Sequence, residues 1–205
     1  MRSLNRSLDR HDWLIAKGIL LALLGTILAC SGKTLVDLPV TTGGRRTLPA
    51  APGSVEVPPG LRIVDPQTWA LPLPDGKVIG LRLQRLPDPD GGAMAQVDKL
   101  IRQMEKTGQA GVERDAVVQL GDLEGRLVQA VDLGKEDPQA LWLVVAVAED
   151  GVYTASVAGP ATEVRSRRGM LEGFLLSLRV PVPGRVPAPA PADPLALDVT
   201  PGSLP

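Results

Sequence analysis

Between residues 113 and 157 the chain holds four strand-like segments with no room for a helix among them, and this limits the fold more than any other feature. Residues 113–120 and 125–133 read as strands around Gly121-Asp122-Leu123-Glu124-Gly125, an expected hairpin. Residues 140–148 are continuously apolar and rich in valine, as expected of a central strand. Glu149-Asp150-Gly151 then turns the chain into residues 152–157, because Asp-Gly supplies the positive φ that tight hairpins need. Parallel neighbours would need a crossover of a dozen or more residues between strands, usually a helix. None fits here, so the expected sheet is antiparallel.

The flanking segments add one more strand and two helices. Residues 77–85 alternate Ile79, Leu81 and Leu83 with Gly80, Arg82 and Gln84, which predicts a strand with one wet face. In residues 93–107, Val97, Leu100, Ile101 and Met104 share one side of a helix, with Asp98, Lys99, Arg102, Gln103 and Lys106 opposite and Gly108 as the stop. Gly159-Pro160 opens a second helix, the proline standing in the first turn where no amide donor is missed. Its apolar face is Val164, Leu171, Phe174, Leu175 and Leu178, opposite Arg165, Arg167 and Arg168. The fold class expected is α+β: an antiparallel sheet covered by two helices in a small α/β/α sandwich. It occupies residues 55–180, a length typical of one domain.

Composition sets the boundaries on either side. Residues 30–54 are polar and broken by proline and Gly43-Gly44, and read as a tether spanning about 28 Å as a flexible coil. Residues 181–205 are proline-rich, with Pro187, Pro189 and Pro191 alternating with alanine, which favours polyproline II over a packed core. They read as a disordered tail, with a ligand for a proline-binding groove as the alternative.

At the N-terminus, Arg2, Arg6, Arg10 and Lys17 outnumber Asp9 and Asp12, and the uncharged run of residues 18–29 follows. A basic leader, a short apolar region and a small residue before the cut make a secretory signal over residues 1–29. The next residue is Cys30, the only cysteine, and Ile27-Leu28-Ala29-Cys30 resembles a bacterial lipobox. That resemblance implies cleavage before Cys30, a thioether to diacylglycerol on its sulfur and N-acylation of the palmitate type. Two lipid signals suffice for stable anchoring, and three chains exceed that. With Ser31 after the cysteine, the lipoprotein analogy favours the outer membrane. The alternatives are an uncleaved signal anchor over residues 13–29, which is shorter than the roughly 20 apolar residues of a membrane span, and an ordinary secretory signal followed by an incidental thiol.

The domain also resembles the PsbP/DcrB-like family. Val57-Pro58-Pro59-Gly60-Leu61, the hairpin at 121–125 and the closing Phe174-Leu175-Leu176-Ser177-Leu178-Arg179 carry the likeness. It implies a small α/β/α sandwich of the kind found in exported and lipid-anchored proteins. It implies no particular activity, since one fold serves many.

Reactive side chains are scarce. His11 is the only histidine and lies in the leader, and Cys30 would be alkylated. A mature chain with neither histidine nor free thiol has no Ser-His-Asp or Cys-His apparatus and lacks the usual nitrogen and sulfur ligands of zinc. No catalytic, metal or cofactor-binding residue is expected. Ser31-Gly32-Lys33-Thr34 ends like a phosphate loop, but Ile27 stands where its first glycine belongs. Asp88-Pro89-Asp90-Gly91-Gly92 opens like a calcium loop, but Gly92 and Lys99 fall at ligand positions. Two acidic pairs remain, Glu136-Asp137 and Glu149-Asp150, and paired carboxylates run glycoside hydrolysis. Trp142 reads as core and Trp69 as an exposed loop contact. The cluster Arg165, Arg167 and Arg168 reads as a solvated helix face, with an acidic partner or lipid headgroups as the alternative. Few aromatics and near-neutral charge leave no nucleic-acid footprint. The expected function is therefore a non-enzymatic accessory module, held at the membrane through Cys30 and contacting an envelope protein. A carboxylate-based hydrolase, or a structural subunit docking through its tail, are the other two readings.

Overall fold

The structure is a computed structural model and describes residues 35–49, 51–87, 92–107, 110–133 and 136–180. The leader at 1–29, Cys30 and the tail at 181–205 lie outside them, as do Ser31-Gly32-Lys33-Thr34 and Asp88-Pro89-Asp90-Gly91.

The segments read as strands form strands. The hairpin strands are β6 (Ala110–Leu120) and β7 (Leu123–Asp132), followed by β8 (Gln139–Ala148) and β9 (Gly151–Pro160). Each pairs antiparallel with the next. The segment around residues 77–85 is β5 (Val78–Leu86), and it pairs antiparallel with β9. β3 (Arg62–Asp65) and β4 (Thr68–Pro72) precede it, the second in a stretch that reads as a loop around Trp69. The seven form one sheet in the order β3-β4-β5-β9-β8-β7-β6.

Alternation sorts side chains to two faces. Trp142, Val144 and Ala146 of β8 join Tyr153 and Ala155 of β9 in the main core, while Leu143, Val145 and Val152 point the other way. The first helix, α1 (Ala93–Thr107), lies on that second side, with Val97 against Leu143, Val145 and Val152. The main core is closed by two short helices, α2 (Ala161–Ser166) and α3 (Arg168–Leu176), through Val164, Leu171, Phe174 and Leu175. The α+β class and the antiparallel sheet are as expected.

Three details differ. The second helix is two pieces, interrupted at Arg167 (φ −107°, ψ 21°). Ser166 Oγ donates to the Glu163 carbonyl at 2.9 Å and Arg167 Nη1 donates to it at 3.2 Å. These side chains take up the acceptor that the next turn would use, an alternative to continued helix. The apolar stripe carries on across the break, as a seven-residue step from Val164 to Leu171 allows. The wet face of β5 is also drier than expected: Gln84 is buried, opposite Thr154 in register, and Thr154 and Ser156 are buried with it. Finally, Gly151 is the first residue of β9 rather than part of the loop, which is Glu149-Asp150 alone. Its φ of 145° suits glycine, and a Cβ there would lie 2.8 Å from the Leu86 carbonyl oxygen.

The expected tether does not run to residue 54. β1 (Gly44–Thr47) and β2 (Ser54–Val57) pair in a separate hairpin, and Leu48, Val55 and Val57 are buried in the main core. Upstream, Thr41 is buried and its amide donates to the Leu61 carbonyl, while Val40 bridges to Arg62. Proline and glycine here shape turns around a short hairpin, so composition alone misplaces the boundary.

Candidate functional site

The two acidic pairs do not meet. Asp137 precedes β8, and its Oδ2 lies 2.8 Å from Lys77 Nζ. The hydrogen bond to Asp137 holds the Lys77 ammonium above its ordinary pKa. Asp150 follows β8, and its Oδ2 accepts a 2.6 Å hydrogen bond from Tyr153 Oη with Arg85 Nε at 3.4 Å. Ten residues of strand separate the ends, about 33 Å at 3.3 Å per residue. Glycoside hydrolysis needs two carboxyl groups about 5–9.5 Å apart. These pairs cannot act on one bond.

Tyr153 is fully buried, with its ring against Gly53, where an added Cβ would lie 2.5 Å from Tyr153 Cδ1. Burial first, then the hydrogen bond to Asp150, pushes its phenol up to about 12. It is a proton held in place rather than one on offer.

The arginine cluster on the last helices is consumed by partners. Arg165 pairs with Glu113 of β6, Arg167 with Glu163, and Arg168 Nε with Glu172 Oε1 at 2.9 Å. Glu172 is a hub: Gln129 Nε2 donates to it at 2.7 Å and Arg114 Nη1 at 3.2 Å. Burial, the largest influence on Glu172, pushes its pKa up. The hydrogen bonds from Gln129 and Arg168 and the charges of Arg168 and Arg114 outweigh it and hold the carboxyl below its ordinary range. On the opposite face Arg126 bridges Asp115 of β6 and Asp98 of α1, with Nη2 2.6 Å from Asp115 Oδ2. Hydrogen bonding to Arg126 holds Asp115 low, and the same bonds hold Arg126 high. These networks join strands to helices. They present neither a free base nor a nucleophile.

The tryptophans divide differently from expectation. Trp142 is core, as read. Trp69 is not an exposed loop contact: it sits in β4, 2% exposed, edge-on to Phe174 with centroids 6.0 Å apart and planes at 70°. Pro72 suggested a loop, but it ends that strand beyond Ala70, where pairing with β3 has stopped, so its missing amide donor faces an unpaired edge. Trp142 Nε1 and Thr154 Oγ1 are buried without a hydrogen-bond partner. They lie on opposite faces of the sheet and make no common site. Among the described residues, no group of three or more metal-ligating side chains assembles, and no helix is long and apolar enough to cross a membrane.

What the surface does offer is the edge at β6. This strand ends the sheet and, among the described strands, pairs only with β7. Val117 is 69% exposed on it, and Leu133, 60% exposed, lies against Gly111 at its other end. The opposite edge, β3, is four residues long and bridged by Val40. Nothing in the sequence marks β6 as an edge, because strand order follows from long-range pairing.

Fold and surface together define an α+β domain built on one antiparallel sheet, with an open edge and no assembled reaction centre among the described residues. No protein-family model matches the chain, and no curated protein matches it. Its structure is similar to that of a Pseudomonas aeruginosa protein of unknown function, at 13% identity over 70% of this chain and 99% of that one, with a TM-score of 0.46. It is also similar to cyanobacterial PsbP from Synechocystis sp. PCC 6803, at 9% identity over 71% and 96%, TM-score 0.48. The Ran-binding protein Mog1p of Saccharomyces cerevisiae is similar at 11% identity over 69% and 96%, TM-score 0.42.

Proposed function

We propose that this chain is a lipid-anchored, non-enzymatic accessory module of the bacterial cell envelope, held by Cys30 and contacting an envelope protein. The observation that carries the module reading is the open β6 edge with Val117 and Leu133 exposed, where scattered acidic pairs would otherwise have to form a cleft. Long unpaired edges are where proteins take partners. The anchor rests on Ile27-Leu28-Ala29-Cys30 after a basic leader and an uncharged run. Ser31 after the cysteine favours the outer membrane within this reading.

The test is intact mass and membrane partitioning of the native protein beside a Cys30→Ala variant. A species beginning at Cys30 with added diacylglycerol and acyl mass, turning soluble or unprocessed in the variant, is expected. An uncleaved, unlipidated native chain overturns the anchor and restores the signal-anchor alternative for residues 13–29.

A further inference from the structure

The outer edge of β6 is regular over one stretch only. Its pairing with β7 shifts register between Val112 and Arg114, then runs unbroken from Arg114 opposite Gln129 to Leu120 opposite Leu123. Leu120 and Leu123 close a two-residue turn, so they bond to each other and hydrogen-bonded pairs alternate from there. Asp115, Val117 and Gln119 therefore turn their backbone N–H and C=O groups away from β7, towards the open side. Val117 is the midpoint of residues 114–120, and it is the most exposed large apolar side chain among the described residues.

We infer that β6 pairs antiparallel with β6 of a second copy of this chain, about a two-fold axis at Val117. In that register Val117 bonds to Val117 of the copy, and Asp115 of each chain bonds to Gln119 of the other. Arg114 lies opposite Leu120 and Ala116 opposite Val118, so no charge meets its like. An axis at Arg114 or Asp115 would set that residue against itself, and like charges directly opposite are destabilising. One step beyond the regular run, Glu113 comes level with Gly121 of the copy. Arg179 lies there, since a Cβ on Gly121 would be 2.9 Å from Arg179 Cδ. Opposite charges thus come together at both ends of the shared ladder, a complementarity that β6 carries towards itself.

Closure favours a pair over a fibre. Pairing at β6 consumes the long edge, and the remaining edge, β3, is four residues long and bridged by Val40. The axis runs normal to the sheet, so equivalent residues of the two copies lie at one height along it. That arrangement suits two chains anchored in one membrane. The inference rests on the open edge of the module reading and names its partner as the same protein.

The experiment uses the full chain in detergent with Cys30→Ser, so that each added thiol is the only one. Val117→Cys should give a disulfide-linked dimer on mild oxidation, because directly opposite residues have Cα atoms about 4.5–5.5 Å apart, within disulfide reach. Gln119→Cys should not, because the two copies of residue 119 stand about 13 Å apart along the ladder. Val117→Lys, at an exposed position, should keep the fold by circular dichroism and weaken the dimer about tenfold or more by light scattering, since two ammonium groups then face each other. A chain monomeric at every concentration tested, or equal linking at 117 and 119, overturns the inference. A link from Val117→Cys to a protein of different mass in native envelopes also overturns it and leaves the module reading standing. No link of either kind takes both down, and the Cys30 anchor is read separately by mass.

Discussion

Tyr153 is the only tyrosine in the chain, which lets one buried group be watched alone. Its folded pKa of about 12 stands above the unfolded value of about 10. Below pH 10 both states keep the proton and this group leaves stability unchanged. As pH rises from 10 towards 12 the unfolded chain loses its proton first, so stability falls, by about 3 kcal/mol once both are ionised. Tyrosinate absorbance should rise near pH 12 in the folded protein and near pH 10 in urea; a folded transition near 10 would show the phenol open to solvent. The residue also shows where sequence reading stops. Nothing beside Tyr153 in the chain announces Gly53 or Arg85 as its surroundings. Trp69 was hidden for a related reason: Thr68, Trp69 and Ala70 are all buried, so β4 shows no polar side from which a period could be read.

At the scale of elements, α1 is tied to the sheet through Arg126, which serves Asp98 on the helix and Asp115 on the neighbouring strand. An Arg126→Gln change leaves two carboxylates without their cation and should cost about 1–3 kcal/mol at neutral pH. Asp115 has a depressed folded pKa, so its contribution is present above the ordinary carboxylate pKa and is lost as pH falls through the folded value. The deficit of the variant in urea unfolding should therefore shrink between pH 7 and pH 3. A deficit unchanged at pH 3 would assign it to packing instead. Elements with a clear pattern were legible: α1 from its helical period, β5 from alternation, β8 from its continuous apolar run, and β6, β7 and β9 from the turns that bound them. β1 was not, since Gly44-Arg45-Arg46-Thr47 is exposed throughout and owes its shape to pairing with β2. The break at Arg167 was not either, because it comes from side chains competing for one carbonyl.

For the molecule as a whole, the question is where the folded unit begins. Leu48 is buried, Thr41 is tied to Leu61, and Ser54 exchanges backbone hydrogen bonds with Arg179. A fragment of residues 55–180 loses all three. It should melt at least about 5 °C below a fragment of residues 35–180, given about 2–4 °C per kcal/mol at this size. Equal melting would return residues 35–54 to the tether. Strand order carries a consequence for assembly. The sheet is two runs of neighbours, β3-β4-β5 and β6-β7-β8-β9, each able to form from local contacts. They meet at a single seam, where Leu86 faces Val152 and Gly80 faces Ala158. Closing a loop of that length is entropically slow compared with closing a hairpin. A chain emerging N-terminus first therefore holds β5 with one edge bare until β9 arrives, and α2 and α3 come last of all. Any factor that shields β5 during that interval governs whether the two half-sheets join.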